Sequence, residues 1–337
     1  GTRWGNNTYT KELTNLQAFS NDLYTVGVVD PAYEGEAPNY DYTKLIWFST
    51  NYFAIYNITS GSRVLVDYKN TLQEAVDLVY NSTTANNMSF EIQLLRSSYE
   101  VPGTIAFKTK RQSNYNQNIT FSSVDGKNYS LVRAPGFTSG AMFNVASNGT
   151  GTDRAITLTY ANITLDGGSI AGVTGSLLKS SYSNATIYLG YQNDTTRVPV
   201  FRNNYKTGNG GAISITNVSE FQIRNCDIYG NKATGNGGGI YVNKQSAQAH
   251  GTLDIYGGSI YNNQATGSSS LGGGIYFNGT AGTLFFGTTN RIRIHGNPQI
   301  YANYQTPSEK LSNLYLEDSS TVYRLDVDDA LSTSARI

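Results

Sequence analysis

The sequence predicts an all-β solenoid, a parallel β-helix with three strands per coil, and two repeated anchors predict it. The first anchor is a glycine pair ahead of an apolar residue: Gly210-Gly211-Ala212-Ile213, Gly238-Gly239-Ile240 and Gly273-Gly274-Ile275. The second is an apolar residue followed three positions later by asparagine: Ile228 and Asn231, Ile260 and Asn263, Ile300 and Asn303, with Phe201 and Asn204 as an earlier copy. Successive asparagines stand 27, 32 and 40 residues apart, a spacing that marks repeat architectures. Short β-like repeats with stretchable loops cannot bury their own apolar faces, so the copies must stack.

Alternation along each repeat assigns inside and outside. In the strand after the glycine pair, Ile213/Ile215, Ile240/Val242 and Ile275/Phe277 point inward, while Ser214, Tyr241 and Tyr276 point out. A second strand buries Phe221/Ile223, Leu253/Ile255 and Ile292/Ile294. It exposes Gln222, Asp254 and Arg293 at one level and Arg224, Tyr256 and His295 at the next. A third buries Ile228, Ile260 and Ile300 and exposes Tyr229, Tyr261 and Tyr301. The asparagines are expected to form an internal ladder, amide bonded to amide, and the glycines ahead of each inward Ile to supply positive φ at a tight corner.

The rest of the chain is read around this stack. Residues 1–60 lack the repeat and form an N-terminal extension, with a short helix suggested by Leu13, Leu16 and Phe19 and a loop from Asp30 to Tyr42. Ile46–Phe48, Phe53–Tyr56 and Arg63–Val66 read as strands. A helix over 71–81 opens on the capping-box pair Thr71 and Glu74 and lines one face with Leu72, Ala75, Val76 and Val79. An open solenoid end exposes strand edges and core, so this helix is assigned as the N-terminal cap of a β-helix over 61–306. Short β runs follow at Phe90–Leu94, Thr104–Phe107, Ile119–Phe121, Ser130–Val132, Met142–Val145, Ile156–Leu158, Ile163–Leu165 and Thr186–Leu189, with polar turns between them. Residues 307–337 lose the anchors and are read as a C-terminal cap or a lead into a further domain.

Composition narrows the partners. Only 14% of the 337 residues are charged, with 24 basic against 24 acidic side chains. Such a chain lacks the long-range field that nucleic acid or an anionic membrane requires, so neither is expected as a partner. Cys226 is the single cysteine, which rules out an intrachain disulfide and a zinc cluster. That suits a cytosolic protein or a Gram-positive surface protein. The chain carries no signal peptide and no long apolar run, so export and anchoring signals are expected outside it, with no membrane insertion by these residues. Asn-x-Ser/Thr triplets such as those at Asn57, Asn118 and Asn162 are ascribed to the abundance of those residues.

The anchors and alternation resemble the right-handed parallel β-helix of pectin-lyase-like proteins, and the glycine pair with apolar-x-x-Asn is similar to repeats of bacterial surface autotransporters. The helix near 71–81, the strand series after it and the closing Leu325-Asp326-Val327 to Ala335-Arg336-Ile337 look like Gram-positive surface proteins, most nearly the ligand-binding region of a serine-rich-repeat adhesin of lactobacilli. The resemblance spans roughly residues 62–337. It implies an extracellular, cell-wall-anchored adhesin.

Enzymes of that fold set the alternative, a polysaccharide lyase or glycoside hydrolase. Their hydrolases carry clustered carboxylates with an Asp-Asp pair and a Gly-His-Gly. Here the Asp-Asp pair, Asp328-Asp329, falls beyond the repeats, and His295 lacks a preceding glycine. Asp227 and Asp254 are assigned to different faces, so shared acid–base work is not expected. Glycine-rich Gly208-Asn209-Gly210 and Gly235-Asn236-Gly237 lead into Ile213 and Ile240 rather than a helix, which excludes a dinucleotide loop. The Asp326-Val327-Asp328-Asp329 cluster lacks EF-hand spacing. The expectation is no enzyme, no cofactor and no metal.

Two kinds of outward row could bind. Tyr229/Tyr261/Tyr301 and Tyr241/Tyr276 offer aromatic surface for sugar rings, against the plain reading that they stack and shield the strands. The Arg224–Tyr256–His295 row, with Arg293, offers cations for carboxylated or sulfated sugars, and His295 gains charge as pH falls through the ordinary imidazole range near ~6.5. The expected partners are therefore acidic glycans or glycoproteins, mucin-type or pectin-type, bound by a monomer, with a passive stalk as a further alternative.

Overall fold

A computed structural model describes residues 24–26, 47–49, 51–111, 115–148, 151–192, 194–216, 218–244, 252–279, 291–306, 309–317, 324–327 and 330–337. The helix suggested at Leu13–Phe19, the Asp30–Tyr42 loop and Asp328-Asp329 lie outside these. The chain is a parallel β-helix. Among the described residues, its coils stack through two seven-stranded sheets, a ten-stranded sheet and a five-stranded one. Following one coil, the chain passes through sheet I (Glu220–Ile223), sheet II (Asp227–Tyr229), sheet III (Lys232–Ala233) and sheet IV (Ile240–Lys244). Thr252–Ile255 then returns to sheet I in parallel register, Phe221 beside Leu253 and Ile223 beside Ile255.

Sheet III was not foreseen. Its strands are two residues long, the parallel Tyr205–Lys206, Lys232–Ala233, Gln264–Ala265 and Tyr304–Gln305 and the antiparallel Lys310–Leu311. Each contributes too few side chains for a period to show.

The inward assignment holds in all three long sheets. Ile213, Ile240 and Ile275 occupy one register column, as do Phe221, Leu253 and Ile292, and Ile228, Ile260 and Ile300. All are at most 1% exposed. Each such side chain contributes about 1.5–3 kcal/mol by leaving water. Earlier coils fill the same interior with rings: Phe121 lies 5.3 Å from Tyr160 and 5.1 Å from Phe143, and Tyr160 lies 5.5 Å from Phe201.

The glycine pairs serve close packing, which corrects the expectation of positive φ. Positive φ falls at Gly210, Gly237 and Gly272, so in the second and third copies it lies one residue before the pair. Within the pairs the constraint is space. A Cβ on Gly211 would sit 2.0 Å from the Gly238 carbonyl oxygen, and one on Gly238 would sit 2.4 Å from that of Gly273. The corner is backbone against backbone.

Asn204, Asn231, Asn263 and Asn303 are wholly buried. Asn231 Nδ2 donates to Asn263 Oδ1 at 3.0 Å, Asn263 Nδ2 to Asn303 Oδ1 at 3.0 Å, and Asn303 Nδ2 to Asn313 Oδ1 at 3.2 Å. Asn313 thus extends the amide ladder past the last anchor. At the other end the expectation needs correction. The Asn204 amide nitrogen turns to the carbonyls of Gly175 and Gly211, and only its backbone N–H reaches Asn231 Oδ1, at 3.1 Å. Below it, the buried Arg133 guanidinium donates to the carbonyls of Phe137, Gly140, Gly175 and Ser176. A long cationic side chain satisfies the corner carbonyls there.

Helix α1, Leu72–Ser82, carries both bonds of the Thr71–Glu74 capping box and buries Leu72, Ala75, Val76 and Val79. It packs on the first coil. Its Gln73 amide pairs with the edge peptide of Ala106, donating to the carbonyl at 3.0 Å and accepting from the N–H at 2.9 Å. Beside it, Phe53–Asn57 runs antiparallel to Met88–Leu94, and Val64–Lys69 runs antiparallel to Phe53–Asn57. Glu91, 3% exposed, ties this end together by accepting from Arg63, Arg197 and the Ser122 hydroxyl. At the other end Leu314–Leu316 and Arg324–Val327 add parallel strands to sheets IV and I, so the coil path continues beyond residue 307.

Candidate functional site

Parallel register turns equal positions into continuous exterior rows. On sheet II the row runs Asp166, Arg202, Tyr229, Tyr261, Tyr301. Arg202 Nε donates to Asp166 at 2.7 Å and its Nη1 to the Tyr229 hydroxyl at 3.1 Å. Tyr229 and Tyr261 stack at 4.9 Å, Tyr261 and Tyr301 at 5.3 Å, and the Arg336 guanidinium lies 4.8 Å from the Tyr301 ring centre. The faces of Tyr261 and Tyr301 are therefore occupied from both sides. This row presents ring edges and hydroxyls, not open platforms.

Sheet IV carries the row Asn144, Lys179, Ser214, Tyr241, Tyr276, Tyr315. Tyr276, only 5% exposed, is sandwiched between Tyr241 at 5.3 Å and Tyr315 at 5.5 Å, and its hydroxyl donates to Glu317. Burial, aided by that carboxylate, pushes the Tyr276 hydroxyl well above its ordinary range. Tyr241 differs. Its register neighbour on the far side is Ser214, and among the described residues no ring or guanidinium stacks there.

Sheet I brings together the cation-bearing row. Backbone bonds from Tyr256 N–H to Ile223 and from His295 N–H to Ile255 continue the ladder, so Arg224, Tyr256 and His295 follow one another on successive coils. Tyr256 and His295 stack at 4.3 Å and 13°. Arg224 lies 3.5 Å over the Tyr188 ring and its Nε donates to Gln222 at 2.8 Å. Tyr188 in turn donates to Glu220 at 2.8 Å, and burial together with that bond pushes its hydroxyl up to about 12.

Two outward assignments on this sheet need correction. Asp254 is 1% exposed because Arg293 covers it, Nη2 to Oδ2 at 2.7 Å. Arg293 is thereby tied into an ion pair instead of standing open to a ligand. His295 is 7% exposed, with Nε2 3.9 Å from Asp254 Oδ1. The sequence gives the direction of these side chains but not their mutual coverage.

The Asp227 and Asp254 carboxylates do lie on different sheets, II and I. Burial raises Asp227 above the ordinary carboxylate range. Among the described residues no cluster of three or more His, Cys, Asp or Glu could hold a metal ion, and no helix is long and apolar enough to cross a membrane.

Sequence reasoning missed Tyr188, Lys179 and Tyr315. Tyr188 sits in a strand that was foreseen, and alternation from Ile187 would have placed it outward in line with Gln222. Lys179 was hidden because its strand, Leu178–Ser180, follows a lone Gly175, whose Cβ would fall 1.8 Å from the Gly140 carbonyl oxygen. One glycine there takes the place of a pair. Comparison with protein-family models, curated proteins and solved structures finds no match to this chain.

Proposed function

We propose that this chain is the ligand-binding domain of a bacterial surface adhesin that holds acidic glycans, of mucin or pectin type, without covalent chemistry. The observation that carries the reading is the sheet I exterior, where Tyr188, Arg224, Tyr256 and His295 come from four consecutive coils onto one face. Coils about 4.8 Å apart place a polar or aromatic group at each step along a linear sugar chain. Rings offer edges and hydroxyls to sugar C–H and O–H groups, and Arg224 offers charge to a carboxylate or sulfate. Each contact is weak, and repetition along one polymer and across many copies on a cell supplies the hold. His295 lies within the same row, stacked on Tyr256 with Asp254 and Arg293 beside it, and the proposed hold is stronger at acidic pH.

A glycan array read at about pH 5 and about pH 7.5 tests this reading. Retention of uronate-rich or sulfated chains, stronger at the lower pH, is the expected result. Silence across the array at both values supports a passive stalk instead. Release of new reducing ends or unsaturated uronate during incubation would make the chain an enzyme.

A further inference from the structure

The sheet IV exterior holds a feature that the sheet I row does not need. The tyrosine stack stops at Tyr241. On the next coil Ser214 stands in the same column, and on the coil after that Lys179. A small side chain between an aromatic ring and a lysine makes a step in an otherwise filled row. Lys179 is exposed, and neither it nor Lys206 forms an ion pair among the described residues.

The ground beside the step is cationic. Lys206, half-buried on sheet III, gives its ammonium protons to neutral oxygens only, the Ser176 hydroxyl at 3.1 Å and the Asn209 carbonyl. The next residue, Gly210, would carry a Cβ 3.0 Å from that of Ser214, so this turn borders the step. Deeper in the same corner, Arg133 donates to four backbone carbonyls, two of them from Gly175 and Ser176. Burial and the neighbouring Lys179 and Arg133 charges bring Lys206 down to about 8, and among the described residues no carboxylate offsets them. Buried or half-buried positive charge without an acid partner is costly, and an anion at the surface relieves it.

We propose that the step bounded by Tyr241, Ser214 and Lys179 is a subsite for one carboxylated or sulfated sugar unit. The sugar ring lies against the open face of Tyr241 above Ser214. Its anionic group meets the Lys179 ammonium, within the field of Lys206 and Arg133. Ring and cation together select an acidic saccharide over a free anion or a neutral sugar. The inference rests on the glycan-binding reading but places the acid-specific contact on a different face from Arg224.

The test is calorimetric titration with an oligogalacturonide of about six units and with its carboxyl-reduced, neutral counterpart, chosen to span several coils. The wild type is compared with Ser214→Tyr, Lys179→Ala and, as the other-face control, Arg224→Ala. Ser214→Tyr fills the step with a ring that continues the stack, so circular dichroism should show an unchanged fold. The expected result is that the wild type prefers the acidic chain, that Ser214→Tyr and Lys179→Ala each weaken it about tenfold or more, and that binding of the neutral chain barely changes. Wild-type affinity in both variants overturns this subsite, and if Arg224→Ala alone loses binding the glycan reading survives it. No binding of either chain by the wild type removes both.

Discussion

Asn263 Oδ1 accepts from both the backbone N–H and the side-chain amide of Asn231, at 3.1 and 3.0 Å, while its own amide reaches the Ile228 carbonyl at 2.9 Å. With its bond to Asn303 Oδ1, this one side chain closes four bonds between coils in a place that water does not reach. The same relation repeats between Asn263 and Asn303, which makes the ladder a cooperative spine along the corner between sheets II and III.

Asn263→Ala should destabilise by about 3–5 kcal/mol, since it leaves several buried donors and acceptors unmet at about 1–3 kcal/mol each. Urea denaturation followed by far-ultraviolet circular dichroism reads this directly. A change below about 1 kcal/mol would mean that the corner is wet.

The glycine pairs give a sharper steric contrast. Gly238→Ala places a methyl 2.4 Å from both the Gln264 carbonyl carbon and the Gly273 carbonyl oxygen, whereas Gly103→Ala meets nothing within 4 Å. The first should cut soluble yield and melting temperature severely, and the second should match the wild type. Equal melting temperatures would refute the backbone-on-backbone corner.

Tyr160 is wholly buried, its hydroxyl has no hydrogen-bond partner among the described residues, and desolvation raises it far above its ordinary range. Tyr160→Phe removes an unmet polar group while keeping the ring contacts with Phe121 and Phe143. A gain of about 1 kcal/mol is expected in chemical denaturation. A loss of similar size would show that the hydroxyl is bonded.

Lys206 yields a prediction in pH. Its folded value near 8 is depressed from 10.5, so between those values the unfolded chain binds more protons and stability rises with pH. Below about 8 the penalty is present in full. Lys206→Met removes it, so the variant's stability relative to wild type should be better at pH 7 than above pH 10.5 by about 2 kcal/mol after solvent screening. A pH-independent difference between the two proteins would rule out the buried charge.

Much of the stack was legible because its constraints are local. Ile213, Ile240 and Ile275 had to share a column once the glycine pairs were aligned, and Thr71 with Glu74 announced the helix that closes the end. Other features depend on what a neighbouring coil supplies. The antiparallel direction of Phe53–Asn57 against Met88–Leu94 has no signal in either strand's own residues. The outward direction of Tyr229, Tyr261 and Tyr301 could be read from alternation, but their mutual stacking follows from coil spacing, and it takes away the faces a sugar would use. Asp254 likewise reads as an exposed carboxylate until Arg293 arrives from the next coil.

The central claim, that function resides in exterior rows built at coil spacing, is tested most directly by affinity against ligand length. Titration with uronate oligomers of about two, four and six units should show tightening at each step until the ligand spans the row, roughly 15 Å over three coil intervals. A disaccharide that binds as tightly as the longest oligomer would contradict the account.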